Sequence, residues 1–169
     1  GRVDAGHVWP IVRAGIGITD EGRRETYEGL ALEAAATESA GRMGRIAREI
    51  AAAVSPEDIA PMYELYDTLS GRVWAGDLGF YQDGRIPLDS YVYFGADGFG
   101  TDELRYADTG RYLDTLNIQW DAYDDKIYIS YGRADYPREL RNVYIRRGRL
   151  TGELFIDGQY YDRVTLYMQ

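Results

Sequence analysis

The chain has 169 residues, a net charge of −9 and no cysteine, and 45% of its residues are hydrophobic, including 14% aromatic. This length suits one domain with a substantial core, and the apolar content excludes a disordered chain. The lack of cysteine excludes disulfides, thiol catalysis and cysteine-ligated zinc, while the negative charge argues against a nucleic-acid partner.

The first third of the chain predicts an extended arm followed by helices. Residues 1–18 mix apolar residues with several glycines and a proline, which predicts an extended arm. A cap at Thr19 or Asp20 then begins a segment rich in Ala, Glu and Arg that runs to about Val54 and predicts helix. The run Gly41–Gly44 is a candidate break between two helices.

The next helix has the clearest start signal in the chain. The segment Ser55-Pro56-Glu57-Asp58 provides a capping serine, a proline at the first helical position and two acids near the positive end of the helix dipole. Ser70-Gly71 then provides a stop. We therefore expect a helix between these two signals.

From Trp74 to the end of the chain, seven turn signals recur at intervals of 10 to 15 residues. They are Asp83-Gly84, Asp97-Gly98, Thr109-Gly110, Asp124-Asp125, Asp135 to Pro137, Arg147-Gly148 and Asp157-Gly158. The runs between them are rich in Tyr, Val, Ile, Leu and Trp, which favour strands. Eight short antiparallel strands joined in chain order most naturally close into an up-and-down barrel, because closure removes exposed sheet edges.

The sequence thus predicts an α+β protein in which an N-terminal arm and helices, residues 1–70, pack on a β-barrel of residues 71–169. Alternation gives each strand one aliphatic face, as in Ile127 and Ile129 or in Val164 and Leu166. We expect these aliphatic faces to line the barrel interior. No stretch approaches the roughly 20 apolar residues of a membrane-spanning helix, so the chain is not expected to span a membrane.

The sequence offers no catalytic set and no metal site. The only histidine is His7, whereas nucleophilic triads and zinc or iron sites usually need imidazoles or thiols. Acids cluster at Asp121, Asp124 and Asp125, and again over residues 97–103, but neither cluster has the spacing of a calcium loop. We interpret both clusters, Asp102 included, as solvated turn acids, and we expect no cofactor.

Aromatic residues are the strongest candidates for a binding site. Large flat side chains with polar tips suit an apolar molecule or a sugar ring at a pocket mouth. The candidates for ligand binding are Trp74, Tyr93, Trp120, Tyr128, Tyr131 and Tyr144. In the alternative interpretation, the two tryptophans fill the barrel floor and the tyrosines line its outer wall.

Four motifs of the barrel region resemble a known family. They are Leu69-Ser70-Gly71-Arg72-Val73-Trp74, Tyr91-Val92-Tyr93-Phe94 with Asp97-Gly98-Phe99-Gly100, Ile118-Gln119-Trp120, and Asp125-Lys126-Ile127-Tyr128-Ile129-Ser130-Tyr131. Over residues 69 to 169 the chain is similar to the lipocalin-like, calycin-type domains of bacterial secreted and lipid-anchored proteins. The resemblance implies a calycin-type barrel, a cell-envelope location and an apolar ligand.

The chain begins with Gly1 and not with methionine, which favours an exported protein. We therefore expect a location in the periplasm or at the cell surface. A lipid anchor on a removed N-terminal segment is compatible with this expectation. The partner would then be a small apolar ligand or another envelope protein.

Three functional hypotheses follow. The first is a non-enzymatic lipocalin-like protein that binds a small apolar ligand or a protein partner. The second is an enzyme of the cyclising-barrel type, with a helical lid, an enclosed cavity and strongly perturbed carboxylates or tyrosines. The third is a structural or inhibitory module with an exposed aromatic patch. The volume and polarity of the barrel interior distinguish a pocket from a filled core.

Overall fold

A computed structural model describes residues 5–132 and 135–169 of the chain. The chain divides into two compact units. We call Gly1–Glu64 the helical unit, and the second unit is Leu65–Gln169. The helices are α1 (Ala5–Ala14), α2 (Glu21–Ala35), α3 (Ala40–Val54) and α4 (Pro56–Leu69). Among the described residues, no helix combines the length and apolar character needed to cross a membrane.

The extended arm expected for residues 1–18 is wrong over α1, which is helical from Ala5 to Ala14. The helix buries His7, Ile11 and Ala14, whose spacing of four and three residues forms one helical stripe. Pro10 removes one backbone N–H group from this helix, and burial of the stripe outweighs that loss. Residues 1–4 of the expected arm lie outside the described residues.

The expected helical segment does divide into two helices, but not at the expected place. Asp20 caps α2, because its carboxylate accepts a hydrogen bond of 2.9 Å from the backbone N–H group of Arg23. The break falls at residues 36–39, whereas Gly41–Gly44 lies inside α3. Ser39 has the extended backbone of an N-cap, which explains why the helix restarts there.

The prediction for α4 is confirmed at both ends. The helix begins at Pro56, and the hydroxyl group of Ser55 donates to the carboxylate of Asp58 at 2.8 Å. It ends at Leu69, just before Gly71, whose φ of 72° lies in the left-handed region that favours glycine. The division between the two units lies within this helix.

The described residues of the second unit form eight antiparallel strands in one closed barrel, with each strand paired to its neighbours in chain order. The strands are β1 (Arg72–Gln82), β2 (Ile86–Phe94), β3 (Phe99–Tyr106), β4 (Tyr112–Tyr123), β5 (Lys126–Ser130), β6 (Arg138–Arg146), β7 (Arg149–Ile156) and β8 (Gln159–Met168). The prediction of an α+β protein with an eight-stranded up-and-down barrel is therefore confirmed.

The predicted turns all fall between strands. At the tightest of them, both central residues have positive φ, as in Arg147 and Gly148 (51° and 72°) and in Asp157 and Gly158 (49° and 77°). Two consecutive positive φ values are the mark of a two-residue hairpin turn whose twist matches that of the strands. The turn chemistry read from the sequence therefore sets the hairpin positions.

Alternation along the strands separates the inside of the barrel from the outside. In β5, Ile127 and Ile129 are buried and Tyr128 between them is half-buried, as the aliphatic faces predict. In β6, the register shifts between Arg141 and Tyr144. The shift moves Val143 onto the buried side of the strand, which bends the strand without breaking the pattern.

The last turn of α4 belongs to the second unit and covers one end of the barrel. Within this unit, the ring of Tyr66 stacks on Trp120 with centroids 4.3 Å apart and planes inclined by 9°. The hydroxyl group of Tyr66 donates to the carbonyl of Ala96 at 3.1 Å, in the turn between β2 and β3. We call this the closed end of the barrel.

Candidate functional site

The interior of the barrel is filled by its own side chains, as small eight-stranded barrels allow. Among the described residues, these apolar side chains of the barrel have no accessible surface: Leu78, Val92, Phe94, Ala122, Ile127, Leu140, Leu150, Leu154 and Leu166. A side chain that borders a void as large as a water molecule would keep accessible surface there. This part of the interior is therefore a packed core and not a pocket.

A buried acid, Asp102, lies at the middle of the barrel and contacts the side chains of Ser90 and Tyr131. Asp102 of β3 is fully buried, and its Oδ2 atom accepts hydrogen bonds from the Ser90 hydroxyl at 3.0 Å and from the Tyr131 hydroxyl at 2.8 Å. The expectation that Asp102 is a solvated turn acid is therefore wrong. Its position in the alternation of β3, two residues before the buried Leu104, directs its side chain inward.

Arg138 fills the barrel at the end opposite the closed end. Its Nε atom donates to the carbonyl of Leu78 at 3.2 Å, and its terminal nitrogen contacts the carbonyl of Tyr136 at 2.5 Å and the carboxylate of Asp135 at 3.0 Å. The guanidinium carbon lies 3.9 Å from the ring centroid of Phe80. Because Arg138 starts β6 and Leu78 belongs to β1, this side chain links strands that are not neighbours.

The buried acid and phenol have perturbed ionisation. Burial raises the pKa of Asp102 to about 6, although the hydrogen bonds from Tyr131 and Ser90 and the charge of Arg138 all act to lower it. Burial, followed by the nearby Asp102 carboxyl group, raises the pKa of Tyr131 well above its ordinary value. Both groups therefore favour their neutral forms more than they would in water.

Perturbed groups of this kind often mark an active site, and the cyclising-barrel hypothesis predicts them. A catalytic acid or base must, however, come within about 3 Å of a reacting atom of the substrate. Asp102 has no accessible surface, and its Oδ1 atom has no hydrogen-bond partner among the described residues. The packed interior leaves no place for a substrate beside this carboxyl group, so its ionisation acts on the stability of the barrel.

The six aromatic candidates divide between the two faces of the barrel wall. Trp74, Trp120 and Tyr131 are buried inside the barrel, whereas Tyr93, Tyr128 and Tyr144 lie on its outer wall. The structure therefore does not bring the six together on one surface. The placement of the two tryptophans agrees with the alternative in which they fill the core, and Tyr131 joins them there.

The buried candidates have different neighbours. Trp120 lies at the closed end, where its indole N–H group donates to the carbonyl of Gly95 at 2.9 Å and its ring meets Phe94 edge-on at 4.7 Å. Tyr131 lies toward the other end, against the ring of Phe80 at 5.2 Å. The indole nitrogen of Trp74 is buried and has no hydrogen-bond partner among the described residues.

On the outer wall, Tyr128 belongs to a chain of side-chain contacts. Its ring stacks on Tyr123 at 5.7 Å, and its hydroxyl group donates to Glu139. Glu139 accepts two hydrogen bonds from Arg141, at 2.9 and 2.8 Å, and the guanidinium group of Arg141 lies 3.9 Å from the ring centroid of Phe155. The side chains on these neighbouring strands are therefore one another's partners, as expected for a stable sheet surface.

A groove of about 330 Å³ lies on the surface of the helical unit, between α1 and α2. Most of its lining is apolar, and the full lining is Val8, Ile11, Val12, Gly15, Ile16, Arg24, Tyr27, Glu28 and Leu32. Small-molecule sites typically have volumes of roughly 300–1,000 Å³ and mostly apolar walls with few polar groups. The groove has the size and composition of such a site.

Tyr27 gives this groove a fixed wall. The residue is 1% exposed, and its hydroxyl group donates to the carbonyl of Ile11 at 2.6 Å, which ties α2 to α1. The ring fits because Gly15 has no side chain, since a Cβ atom there would lie 2.5 Å from Cε1 of Tyr27. Arg24 and Glu28, one helical turn apart on α2, supply the charged groups of the lining.

The sequence interpretation missed this groove because it treated residues 1–18 as extended. The available signal was the spacing of Val8, Val12 and Ile16, which recur at intervals of four residues, as one face of a helix requires. The same residues remain about half exposed in the structure, at 45%, 53% and 62%. An exposed apolar stripe of this kind indicates a surface that is used for binding.

Two further observations concern metal-ligating side chains and the histidine. The described residues contain no cluster of three or more His, Cys, Asp or Glu side chains that could hold a metal ion. The only histidine, His7, is buried, and its Nε2 atom lies 3.1 Å from the carbonyl oxygen of Glu38. This contact gives His7 a structural role in the helical unit.

Comparison with known proteins does not assign the chain to a family. No protein-family model and no curated protein matches it. The fold class therefore depends on the structure itself, which shows a closed eight-stranded antiparallel barrel consistent with a lipocalin-like fold. The functional argument depends on the groove and on the filled barrel.

Proposed function

We propose that this protein is a non-enzymatic, lipocalin-like protein of the bacterial envelope that binds a small apolar molecule. We place the binding site in the groove of the helical unit and not in the barrel. The observation that carries this proposal is the groove of about 330 Å³ with its mostly apolar lining. Burial of apolar surface in such a groove contributes roughly 25 cal/mol per Å² to binding.

The filled barrel supports the same choice of site. Lipocalin-like barrels that carry a ligand in the lumen need an enclosed space, and the described interior of this barrel is packed. The barrel then serves as a rigid folded unit, while the helical unit offers the apolar surface. Among the three hypotheses from the sequence, binding fits these observations better than cyclising catalysis.

Titration with Nile red, a neutral dye that fluoresces in apolar surroundings, tests the site. Val12 lines the groove and is 53% exposed, so Val12→Asp places a charge in the groove without a buried charge in the core. We expect this variant to bind the dye at least tenfold more weakly than the wild type, which corresponds to roughly 1.4 kcal/mol.

Leu30→Asp is the matched control, because Leu30 is a 45% exposed leucine of α2 outside the groove lining. We expect it to bind Nile red as the wild type does, with an unchanged circular dichroism spectrum. Equal binding by the wild type and Val12→Asp would show that the groove is not the site. Loss of binding in both variants would indicate a broader apolar surface.

We also propose that the protein is exported to the periplasm or the cell surface. The support for this location is the resemblance of the barrel region to lipocalin-like domains of bacterial envelope proteins, together with a barrel of the expected type. An apolar-ligand protein in this compartment would hold molecules that dissolve poorly in water. This location has its own test, which is separate from the test of the groove.

A further inference from the structure

We propose that the groove of the helical unit selects amphipathic molecules with an anionic head group, such as a carboxylate, and binds that head group through Arg24. This inference rests on the proposed function and names the ligand class of the same site. It starts from Arg24, which is part of a lining that otherwise consists mostly of apolar side chains. A hydrocarbon chain would lie against the apolar wall while its charged end meets the guanidinium group.

The guanidinium group of Arg24 is held in a fixed direction by the backbone. Its Nε and one terminal nitrogen both donate to the carbonyl of Ile18, at 3.1 and 2.5 Å. Ile18 is itself fully buried, and its backbone N–H group donates to the carbonyl of Gly15 at 3.1 Å. Because these hydrogen bonds already hold the guanidinium group in place, Arg24 loses little conformational entropy when a ligand binds.

This anchoring uses one edge of the guanidinium fork and leaves the other edge available. An arginine has five N–H groups, and the edge formed by its two terminal nitrogens matches the two oxygens of a carboxylate. Within the described part of the chain, the Ile18 carbonyl is the hydrogen-bond acceptor that Arg24 contacts. The free edge is therefore the one that suits bidentate binding of an anion.

Glu28 also lines the groove and sets a limit on this selectivity. It lies one turn beyond Arg24 on α2, and no ion pair within 4.0 Å joins the two residues in the described structure. A carboxylate that binds to Arg24 would meet some repulsion from Glu28. The net charge of −9 acts over longer distances and is screened beyond about 8 Å at physiological ionic strength.

Competition against Nile red with decanoate, decan-1-ol and decylammonium tests the inference on the whole protein. Each probe has ten carbon atoms, and the hydrocarbon chain of decanoate is one methylene shorter than the chains of the other two, so a preference for decanoate must come from its head group. We expect decanoate to bind about fivefold more tightly than decan-1-ol, because an exposed ion pair adds only modestly to affinity. Added salt should reduce this preference.

Substitutions in the groove test which residues cause the preference for decanoate. In Arg24→Gln the preference for decanoate over decan-1-ol should disappear, and in Glu28→Gln the preference should increase. Arg42→Gln is the matched control, since it removes one exposed positive charge from α3, outside the groove. It should keep the wild-type preference.

The possible results separate this inference from the proposed function. If decanoate and decan-1-ol bind equally well to the wild type, or if decylammonium binds best, the anionic selectivity is refuted and the apolar site remains. If the preference persists in Arg24→Gln, Arg24 does not bind the head group. If no probe displaces the dye and the dye itself does not bind, both the site and its selectivity are refuted.

Discussion

Asp102 is an ionisable residue in the packed core of the barrel, where a charged group is unfavourable. Its carboxyl group is fully buried, with Oδ2 satisfied by two hydroxyl groups and Oδ1 without a partner among the described residues. A buried carboxylate costs free energy unless its partners replace the lost hydration. The raised pKa of this group, about 6, reflects the fact that they replace it only in part.

This placement makes the barrel less stable at neutral pH than it would be without the charge. Because folding raises the pKa of Asp102, its neutral form favours the folded state, and the benefit is complete below the unfolded pKa of about 4. The benefit is lost as the pH rises through about 6, where the folded group ionises. A difference of about two pKa units corresponds to roughly 3 kcal/mol.

Asp102→Asn should therefore stabilise the barrel at pH 7 by about 1–3 kcal/mol and should change its stability little at pH 4. The amide oxygen can still accept the hydrogen bonds from Ser90 and Tyr131. Urea unfolding at both pH values measures the difference. Asp108→Asn, in the exposed turn between β3 and β4, is the control and should show no such dependence.

At the scale of elements, the closure of the barrel depends on how closely β1 approaches β8. Trp74 pairs with Met168, and Ala75 pairs with Tyr167. The next residue, Gly76, lies so close to β8 that a Cβ atom there would be 2.4 Å from the carbonyl oxygen of Thr165. A backbone atom cannot rotate away as a side chain can, so this contact requires glycine.

Gly76→Ala should destabilise the barrel by about 3 kcal/mol or more, at the upper end of the usual cost of overpacking. The same substitution at Gly29, in the middle of α2, meets no atom within 4 Å. Gly29→Ala should therefore stabilise the helical unit by about 0.5–1 kcal/mol, because alanine favours a helix more than glycine does. Thermal unfolding followed by circular dichroism measures both changes, and an unchanged or higher stability of Gly76→Ala would contradict this account of β1 and β8.

At the scale of the whole molecule, the two units have different kinds of surface. The large apolar side chains that the described barrel leaves exposed are mostly tyrosines, whereas those that the described helical unit leaves exposed are mostly aliphatic: Val8, Trp9, Val12, Ile16 and Leu32. A net charge of −9 opposes self-association through such side chains, because like charges repel. This difference is the reason why we propose a binding site in the helical unit and not in the barrel.

The proposed location is also a property of the whole molecule. Cells that carry the natural gene, with any leader that it encodes, should release the protein on osmotic shock or expose it to added protease at the cell surface. A cytoplasmic marker protein measured in the same fractions controls for lysis. Recovery of the protein with that marker would contradict export, and it would leave the groove experiment unaffected.

Much of the fold could be predicted because its signals are local. A turn such as Arg147-Gly148 and the alternation of Ile127, Tyr128 and Ile129 each depend on a few consecutive residues. The start of α4 at Ser55-Pro56 is equally local. Helix α1 was missed because glycine and proline argued against it, while the burial of Ile11 and Ala14, which only packing reveals, favoured it.

The filled barrel core depended on contacts that local patterns do not encode. The partners of Asp102 are 12 and 29 residues away in the chain, and Arg138 reaches a carbonyl 60 residues away. Whether a barrel is hollow depends on how side chains from all eight strands meet at its axis. By itself, the sequence determined the strands, their turns and the closed barrel, because backbone propensity and two-residue alternation act locally. Only the tertiary structure decided that the barrel is filled, that its acid is buried and that the groove lies between helices, because these features arise from packing between distant segments.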